Sequence, residues 1–432
     1  MAFSLLIVFL FGYAAITMEH RLKMDKLVPA LLMMVLSWAI IYIGLPHIAL
    51  WLDPVNGLLH DPKCGQVHIP ELTGMISQKR ALIDGSLLHH FGKTCEILIF
   101  LIGAMTVVEI IDHFDGFQVV KKGITATNKR NLLWIICLIA FFLSALIDNL
   151  TTTIVLISIL RKIVSDAELR KWYTGFIIIA ANAGGAWSPI GDVTTTMLWM
   201  NNKVHAGSLV AHLFLPASIS LIIPLLLASF MSVFKGDIVP SEAKDSSHKQ
   251  GIIILLTGLG CIVFVPILKM TTHLPPYMGM MLAVGIVAIL AELISNRQFS
   301  MTELIEHESH GSPTIKALTK IEFSSILFFL GILMTIAAME SMGMIFAFGQ
   351  QVSESMSTSL FVILLGISSA IIDNVPLVAA SMGMFQTTKF GTSSPMPQEL
   401  VDPCSSLVQQ LEWLPWEWKK FLFSGTSKTS PF

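Results

Sequence analysis

Long apolar runs alternate with short polar segments over most of the 432 residues of the chain. A membrane-spanning helix needs roughly 20 mostly apolar residues to cross a hydrocarbon core about 30 Å thick. Runs that approach or exceed this length predict spans at 2–17, 27–51, 94–113, 172–200, 207–234, 250–267, 276–294 and 322–347. The pattern therefore predicts an all-α polytopic membrane protein.

One apolar stretch, 131–160, does not fit a single span. About 30 helical residues, each rising about 1.5 Å, exceed a core about 30 Å thick. Basic pairs at 129–130 and 161–162 flank it, and a single span would place them on opposite sides, against the positive-inside rule. Its middle is polar around Asp148 and Asn149. These features predict a re-entrant hairpin, whose irregular tip is tolerated only beside protein or a water-filled cavity.

A second stretch, 357–385, is also too long and has a polar middle, around Asp373 and Asn374. It is predicted to be a second hairpin that enters from the external side. The loops that hold most of the Lys and Arg residues are predicted to be cytoplasmic, and they are 18–26, 114–130, 161–171, 235–249 and 295–320. The loop 52–93 is less basic and is predicted to be external.

The two hairpin tips have similar sequences. Residues 144–149 read SALIDN and residues 369–374 read SAIIDN. Upstream, Met-Thr pairs followed by Glu109 and Glu340 add to the similarity. Two similar units of opposite orientation form an inverted-topology repeat, which in many secondary transporters places the substrate site near the membrane midplane.

The span 172–200 contains the polar segment 181–196, which reads ANAGGAWSPIGDVTTT. Glycines and a proline weaken a helix at a depth where no water can bind the released carbonyl groups. The segment therefore predicts a broken helix. Its carbonyl, carboxylate and hydroxyl oxygens suit a small hard cation such as Na⁺.

A buried carboxyl group is costly in its charged form, so it can hold a sodium ion when ionised and a proton when neutral. Competition between the two ions for the same groups is sufficient for antiport. Sodium is predicted at Asp148, Asp192 and Asp373. The other predicted ion-binding residues are Ser144, Asn149, Thr151, Thr152, Asn182, Ser188, Thr194, Thr195, Ser369 and Asn374. Glu109 and Glu340 are predicted proton-relay residues, with solvated helix-end acids as the alternative.

Composition supports the membrane class and restricts the partners. Charged residues make up 13% of the chain, against about 25% in soluble domains. The net charge of −2 indicates no nucleic-acid-binding surface. The first apolar run has its basic residues after it, which favours a retained helix over a secretory signal. The lipid bilayer is thus the predicted partner, no cofactor is predicted, and Na⁺ and H⁺ are the transported ions.

From about residue 386 the chain loses its apolar character and becomes rich in Pro, Ser, Gln and Trp. A shifted reading frame permits an apolar, glycine-containing segment from Pro395 onward, with Ala forced at 396–397 and Gly at 416–417. We therefore predict that 386–432 is an out-of-frame tail. The alternative is a natural divergent tail.

Taken together, the segments 100–109, 144–153, 183–196 and 369–376 resemble those of the NhaD-type sodium/proton antiporters of the ion-transporter (arsenite and citrate permease-like) superfamily. The resemblance covers about residues 1–385. It implies a scaffold and a transport domain, a homodimer, an elevator-like motion and the inner (plasma) membrane of a bacterium, with a role in pH homeostasis.

The predicted function is exchange of Na⁺, or Li⁺, for H⁺. One alternative is sodium-coupled transport of carboxylates or arsenite-type oxyanions, and another is an inactive frameshifted antiporter. An intramembrane aspartyl protease is disfavoured because Ser188-Pro189 precede Ile190-Gly191-Asp192, which excludes the Gly-x-Gly-Asp pattern. The predicted parts are N-terminal helices with an external loop (1–93), a first repeat unit (94–206), scaffold helices (207–321), a second repeat unit (322–385) and the tail (386–432).

Overall fold

The computed structural model of the protein describes residues 1–48, 59–60, 67–68, 76–119, 124, 127–238, 249–299, 312–369 and 374–384. Nearly all of these residues are helical. The sheet within these ranges is one short antiparallel pair, β1 (Leu59–His60) with β2 (Val67–His68). Asp373 and the predicted out-of-frame tail lie outside the described residues.

Helices follow one another with short connections along the described ranges. In chain order they are α1 (Ala2–Thr17), α2 (Glu19–Leu22), α3 (Leu27–Ile43), α4 (Ile76–His113), α5 (Lys129–Ser144), α6 (Asn149–Ile163), α7 (Ala167–Ala186), α8 (Val193–Met200), α9 (Ala206–Phe230), α10 (Lys249–Thr272), α11 (Pro276–Phe299), α12 (Pro313–Lys320), α13 (Phe323–Ser341), α14 (Met344–Ser355), α15 (Thr358–Ser369) and α16 (Asn374–Met384). Short 3₁₀ turns follow α3 (Leu45–His47) and α9 (Ser232–Phe234).

The described residues divide into two compact units, and one boundary falls within α4. The first unit contains Met1–Ile99 and the residues from Glu322 onward, and the second contains Phe100–Ile321. Five stretches in the described ranges are long and apolar enough to cross a membrane, and they are Lys79–His113, Ala206–Phe230, Gln250–Thr272, Pro276–Ser295 and Phe323–Ser341.

The first unit is built on close packing of α3 against α13. The indole N–H of Trp38 donates a hydrogen bond of 2.9 Å to the carbonyl oxygen of Met334. A Cβ on Gly331 would lie 2.6 Å from the carbonyl carbon of Ala30, so only glycine permits this approach of the two backbones. Buried apolar residues from α1, α3, α4 and α13 form the core around this contact.

In the second unit, α5 and α6 form a helical hairpin that packs against α7. At the base of this hairpin, the Tyr173 hydroxyl donates a hydrogen bond of 2.7 Å to the carbonyl oxygen of Lys129. The amide of Lys129 donates one of 3.1 Å to the carbonyl of Gly236, in the segment after α9. The base of the hairpin is therefore fixed to α7 and to the end of α9.

The predicted fold class is confirmed. The stretch 131–160 forms two helices, α5 of 16 residues and α6 of 15, which meet at Asp148. The stretch 357–385 contains the corresponding pair α15 and α16. The span 172–200 is interrupted between α7 and α8, as the glycines and proline predict.

The internal repeat also has a structural counterpart at the level of single side chains. The Thr106 hydroxyl donates a 2.6 Å hydrogen bond to the carbonyl oxygen of Ile102, four residues earlier. The Thr335 hydroxyl donates a bond of the same length to the carbonyl oxygen of Gly331, also four residues earlier. The two equivalent threonines therefore make the same hydrogen bond in their helices.

Some predicted boundaries differ from the structure. Residues 76–93, predicted as part of an external loop, are helical and extend α4. The charges at Lys79, Arg80 and Asp84 lower the hydropathy of this segment without preventing a helix. The predicted span 27–51 ends as an α-helix at Ile43, and the span 322–347 is divided at Gly343, whose φ of 68° ends α13 and starts α14.

Candidate ion-binding site

Asp148 and Asp192 each stand immediately before a helix and cap its first turn. The Asp148 carboxylate accepts a 2.7 Å hydrogen bond from the amide of Thr151 and a 2.6 Å bond from its hydroxyl. The Asp192 carboxylate accepts a 3.1 Å bond from the amide of Thr194, whose hydroxyl also donates to it. Capping places both carboxylates at the positive ends of helix dipoles, so α6 and α8 fix the positions of the two acids.

One amide group joins the hairpin tip to both halves of the broken helix. The Nδ2 of Asn149 donates a 2.9 Å hydrogen bond to Oδ1 of Asn182 on α7. The same nitrogen lies 3.3 Å from Oδ1 of Asp192, the cap of α8. Because Asn149 directly follows Asp148, this bridge brings both acids into one polar cluster.

Close backbone packing surrounds this cluster. A Cβ on Gly184 would lie 2.0 Å from the carbonyl oxygen of Phe141 on α5. A Cβ on Gly191 would lie 2.6 Å from the carbonyl oxygen of Ser144. The glycines of the broken helix are therefore required for its contact with the hairpin, in addition to weakening the helix.

Hydroxyl groups complete the polar lining. The Ser144 hydroxyl donates a 2.5 Å hydrogen bond to the carbonyl oxygen of Ala181. Thr195 donates to a backbone carbonyl at 2.9 Å, and Ser188 accepts a backbone N–H at 3.3 Å. Thr152 is fully buried, and its Oγ1 has no hydrogen-bond partner among the described residues. Carboxylate, amide and hydroxyl oxygens are the ligands that hard cations prefer, so this set of residues fits Na⁺.

The structure brings together the predicted residues of the first repeat on α5–α6 and α7–α8. They are Ser144, Asp148, Asn149, Thr151, Thr152, Asn182, Ser188, Asp192, Thr194 and Thr195. Of the predicted residues of the second repeat, Ser369 and Asn374 are described, and both lie in the first unit. There, Ser369 ends α15 and donates a 2.7 Å hydrogen bond to Gly366 in its own helix, and Asn374 begins α16.

The two candidate proton-relay acids have different surroundings. Glu109 lies on α4 and interacts electrostatically with Lys320 of α12 and with Asp112. Glu340 is near the end of α13, and a Cβ on Gly383 of α16 would lie 3.4 Å from its carboxyl carbon. No group of three or more His, Cys, Asp and Glu side chains that could hold a metal ion occurs in the described part of the chain.

Sequence reasoning did not identify the capping roles of the two acids. The signal was present, because Asp148 and Asp192 each come directly before a predicted helical segment, and Asp is a preferred N-cap residue. The hydroxyl of Thr196, the last residue of the polar segment 181–196, lies 3.1 Å from the carbonyl oxygen of Pro189 and 2.8 Å from that of Asp192. This side chain joins the interrupted segment to α8.

Comparison with solved structures supports the fold. The YdaH transporter from Alcanivorax borkumensis, described as having an unusual topology, superposes with a TM-score of 0.53 over 91% of this chain and 90% of its own. The sequence identity is 11%.

Sequence comparisons point to membrane transporters. The chain is 38% identical to sodium/proton antiporter 1 of Arabidopsis thaliana over 90% of its residues, and it spans 62% of that protein's length. It is 40% identical to sodium/proton antiporter 2 of the same plant, over 72% of this chain and 74% of that one. The NhaD Na⁺/H⁺ antiporter of Alkalimonas amylolytica is 27% identical over 88% of this chain and 76% of its own.

The sequence profile of the citrate transporter family (CitMHS) matches residues 13–400. This range contains both hairpin sequences, the broken helix and all the described elements from α3 onward. The prediction of a transporter rather than an enzyme is confirmed by these relatives. The chain therefore belongs to the citrate transporter family and is similar in sequence to proteins named as sodium/proton antiporters.

Proposed function

We propose that this protein is a secondary active transporter that exchanges Na⁺ for H⁺, with Li⁺ as a second accepted cation. The strongest support is the cluster in which Asn149 bridges Asn182 and the buried carboxylate of Asp192. A buried carboxylate in a membrane domain requires a cation or a proton to compensate its charge. Relatives named as sodium/proton antiporters agree with this chemistry.

In the proposed cycle, Na⁺ binds when both carboxylates are ionised. Asp148, Asp192 and the Thr152 hydroxyl provide oxygen ligands, and the Asn182 amide oxygen orients Asn149. Protons displace Na⁺ by neutralising the same carboxylates, since burial disfavours the charged form. The two ions therefore compete for one site, which couples their movements. By the sequence repeat, Asp373 and Asn374 provide the corresponding groups of the second repeat.

Sodium-coupled carboxylate transport is the second candidate. The family description as citrate transporters and the presence of two helix N-termini, those of α6 and α8, favour it, because such ends bind anions. In this chain, however, the carboxylates of Asp148 and Asp192 already occupy these ends. A further carboxylate would meet two negative charges, so we favour the cation.

The test uses purified protein in liposomes with a preset pH gradient, followed by a pH-sensitive dye. Addition of Na⁺ should collapse the gradient, and Asp148→Asn should abolish the response. Asp166→Asn is the matched control. The Asp166 carboxylate also caps a helix, α7, by accepting a 3.0 Å hydrogen bond from the amide of Glu168, but Asp166 is exposed. Citrate-dependent uptake without cation–proton exchange would replace the first proposal with the second.

The reading frame of the C-terminal tail, residues 386–432, requires a separate experiment. The proposal that 386–432 is out of frame is tested by resequencing the coding DNA and by assaying a frame-restored protein beside the present chain. Exchange by the frame-restored protein alone would identify the present chain as an inactive form. An intact frame, without an alternative apolar segment, would reject the proposal.

We further propose that the protein is a homodimer in the inner membrane of a bacterium, as the similarity to bacterial antiporters suggests. Light scattering of the detergent-solubilised protein tests the dimer. Because the two Arabidopsis relatives have higher identity, fractionation of the source cells is needed to distinguish a bacterial inner membrane from a membrane of a plant-like cell.

A further inference from the structure

Lys269, three residues before the end of α10, contacts the last turn of the broken helix. Its Nζ donates a 2.8 Å hydrogen bond to the carbonyl oxygen of Trp199 on α8. The same nitrogen lies 4.6 Å from the centroid of the Trp199 ring. Lys269 therefore contacts both the backbone and the aromatic face of one residue.

This arrangement is unusual for a lysine at the end of an apolar helix. Such a lysine normally extends its ammonium group to the water at the membrane surface. Lys269 is instead half-buried against α8, and none of the described carboxylates forms an ion pair with it. A cation at a helix C-terminus is favourable because it compensates the negative end of the helix dipole, and a cation over an indole ring adds further attraction.

The contacted helix is short and carries a predicted ion ligand at its other end. α8 has eight residues, begins after Asp192 and ends at Met200, so it is about 12 Å long. All its residues from Thr194 onward are buried. Phe100 of α4 packs edge-on against Trp199, with ring centroids 6.4 Å apart. A displacement at the Trp199 end of so short a helix moves Asp192 with it.

We propose that Lys269 is a positioning residue for the ion site. By fixing the C-terminal end of α8, it holds the Asp192 carboxylate within reach of Asn149 and in the geometry that binds the cation. The predicted effect of Lys269 on ion binding rests on the proposed sodium–proton exchange. Its predicted effect on the position of α8 does not.

The test compares Lys269→Met, which keeps most of the length of the side chain and removes its charge, with Lys269→Arg, which keeps the charge. The matched control is Lys79→Met, because the Lys79 Nζ donates an equivalent 2.8 Å bond to the carbonyl oxygen of Ile48, in the first unit. Hydrogen–deuterium exchange of peptides that cover α8 reports its position. Half-saturation by Na⁺ and the maximal exchange rate are measured in liposomes.

We expect faster amide exchange in α8 of Lys269→Met and a Na⁺ half-saturation concentration raised about tenfold, which corresponds to a loss of about 1.4 kcal/mol of binding free energy. The maximal rate should change much less. Lys269→Arg should largely restore both values, and Lys79→Met should leave both as in the unmodified protein.

Unchanged α8 exchange in Lys269→Met would overturn the inference, whatever the protein transports. Faster α8 exchange with an unaltered half-saturation would show a purely structural cap and would also overturn it. If the unmodified protein shows no Na⁺-dependent proton transport, the proposed function fails. The protection of α8 amides by Na⁺ is then compared between the unmodified protein and Lys269→Met, and this comparison decides whether Lys269 positions a sodium site. Absence of that protection in the unmodified protein counts against the positioning role as well.

Discussion

Replacing Gly184 by alanine tests the contact that holds the hairpin against the broken helix. The new Cβ would lie 2.0 Å from the carbonyl oxygen of Phe141 and within 2.8 Å of its Cα, both backbone atoms. Ordinary contact begins at 3.4 Å, so α5 and α7 must separate by about 1.4 Å. If α6 moves with α5 as one hairpin, the 2.9 Å bond between Asn149 and Asn182 stretches to about 4 Å, beyond hydrogen-bonding range.

The expected loss follows from these distances. Overpacking of this kind costs about 1–3 kcal/mol, and each broken hydrogen bond adds about 1 kcal/mol. About 1.4 kcal/mol corresponds to a factor of ten, so Na⁺-dependent exchange by Gly184→Ala should fall at least about tenfold if the ion-binding conformation bears this cost. The protein should also unfold at a lower temperature in detergent.

Gly175→Ala is the control, because Gly175 lies on the same helix and a Cβ there meets no atom within 4 Å. This variant should keep full exchange activity and gain up to about 1 kcal/mol of helix stability. Both proteins are assayed in liposomes at equal reconstituted amounts. Equal rates and equal melting temperatures for the two variants would refute the close packing of α5 against α7.

Three further comparisons, which use four variants, test other parts of the structure. Ser144→Ala should lower the melting temperature by the equivalent of about 1 kcal/mol, because the Ser144 hydroxyl joins two helices. Ser369→Ala should have little effect, because the bond of Ser369 is internal to one helix. Equal melting shifts for the two variants would contradict this difference. Asn149→Ala should raise the Na⁺ half-saturation about tenfold or more, since a bridge of two hydrogen bonds is lost, and an unchanged value in the liposome assay would exclude a role for the bridge. Gly331→Ala should destabilise the first unit by about 1–3 kcal/mol, because the new Cβ would lie 2.6 Å from the Ala30 backbone. An unshifted melting curve would disprove this prediction.

The membrane class and the interrupted elements could be predicted from sequence because they depend on local composition. A polar tip inside an apolar stretch has few solutions in a membrane, and Gly-Gly and Ser-Pro within a span predict a break wherever the helix packs. The N-terminal part of α4 was not predicted because hydropathy, rather than helical propensity, defined the spans. The charges at Lys79 and Arg80 lowered the hydropathy of a segment that is helical from Ile76.

The contacts within the site could not be predicted in the same way. Asn149 and Asn182 are 33 residues apart, and their pairing depends on how α6 and α7 are rotated about their axes. The 2.0 Å approach at Gly184 depends on the separation of two helices, which no local pattern encodes. The residue types of the site are therefore visible in the sequence, while the partner of each side chain is a property of tertiary packing.

The capping of α6 by Asp148 and of α8 by Asp192 links ion occupancy to the local melting of each helix. An ionised N-cap stabilises the first turn by about 0.5–2 kcal/mol, and a neutral carboxyl group loses part of this effect together with its favourable interaction with the helix dipole. The proton-loaded protein would therefore fray more readily at Thr151 and Thr194 than the sodium-loaded one. In the proposed cycle, the bound ion thus sets the helicity of the first turns of α6 and α8. Exchange of Na⁺ for H⁺ is therefore also a small local folding transition.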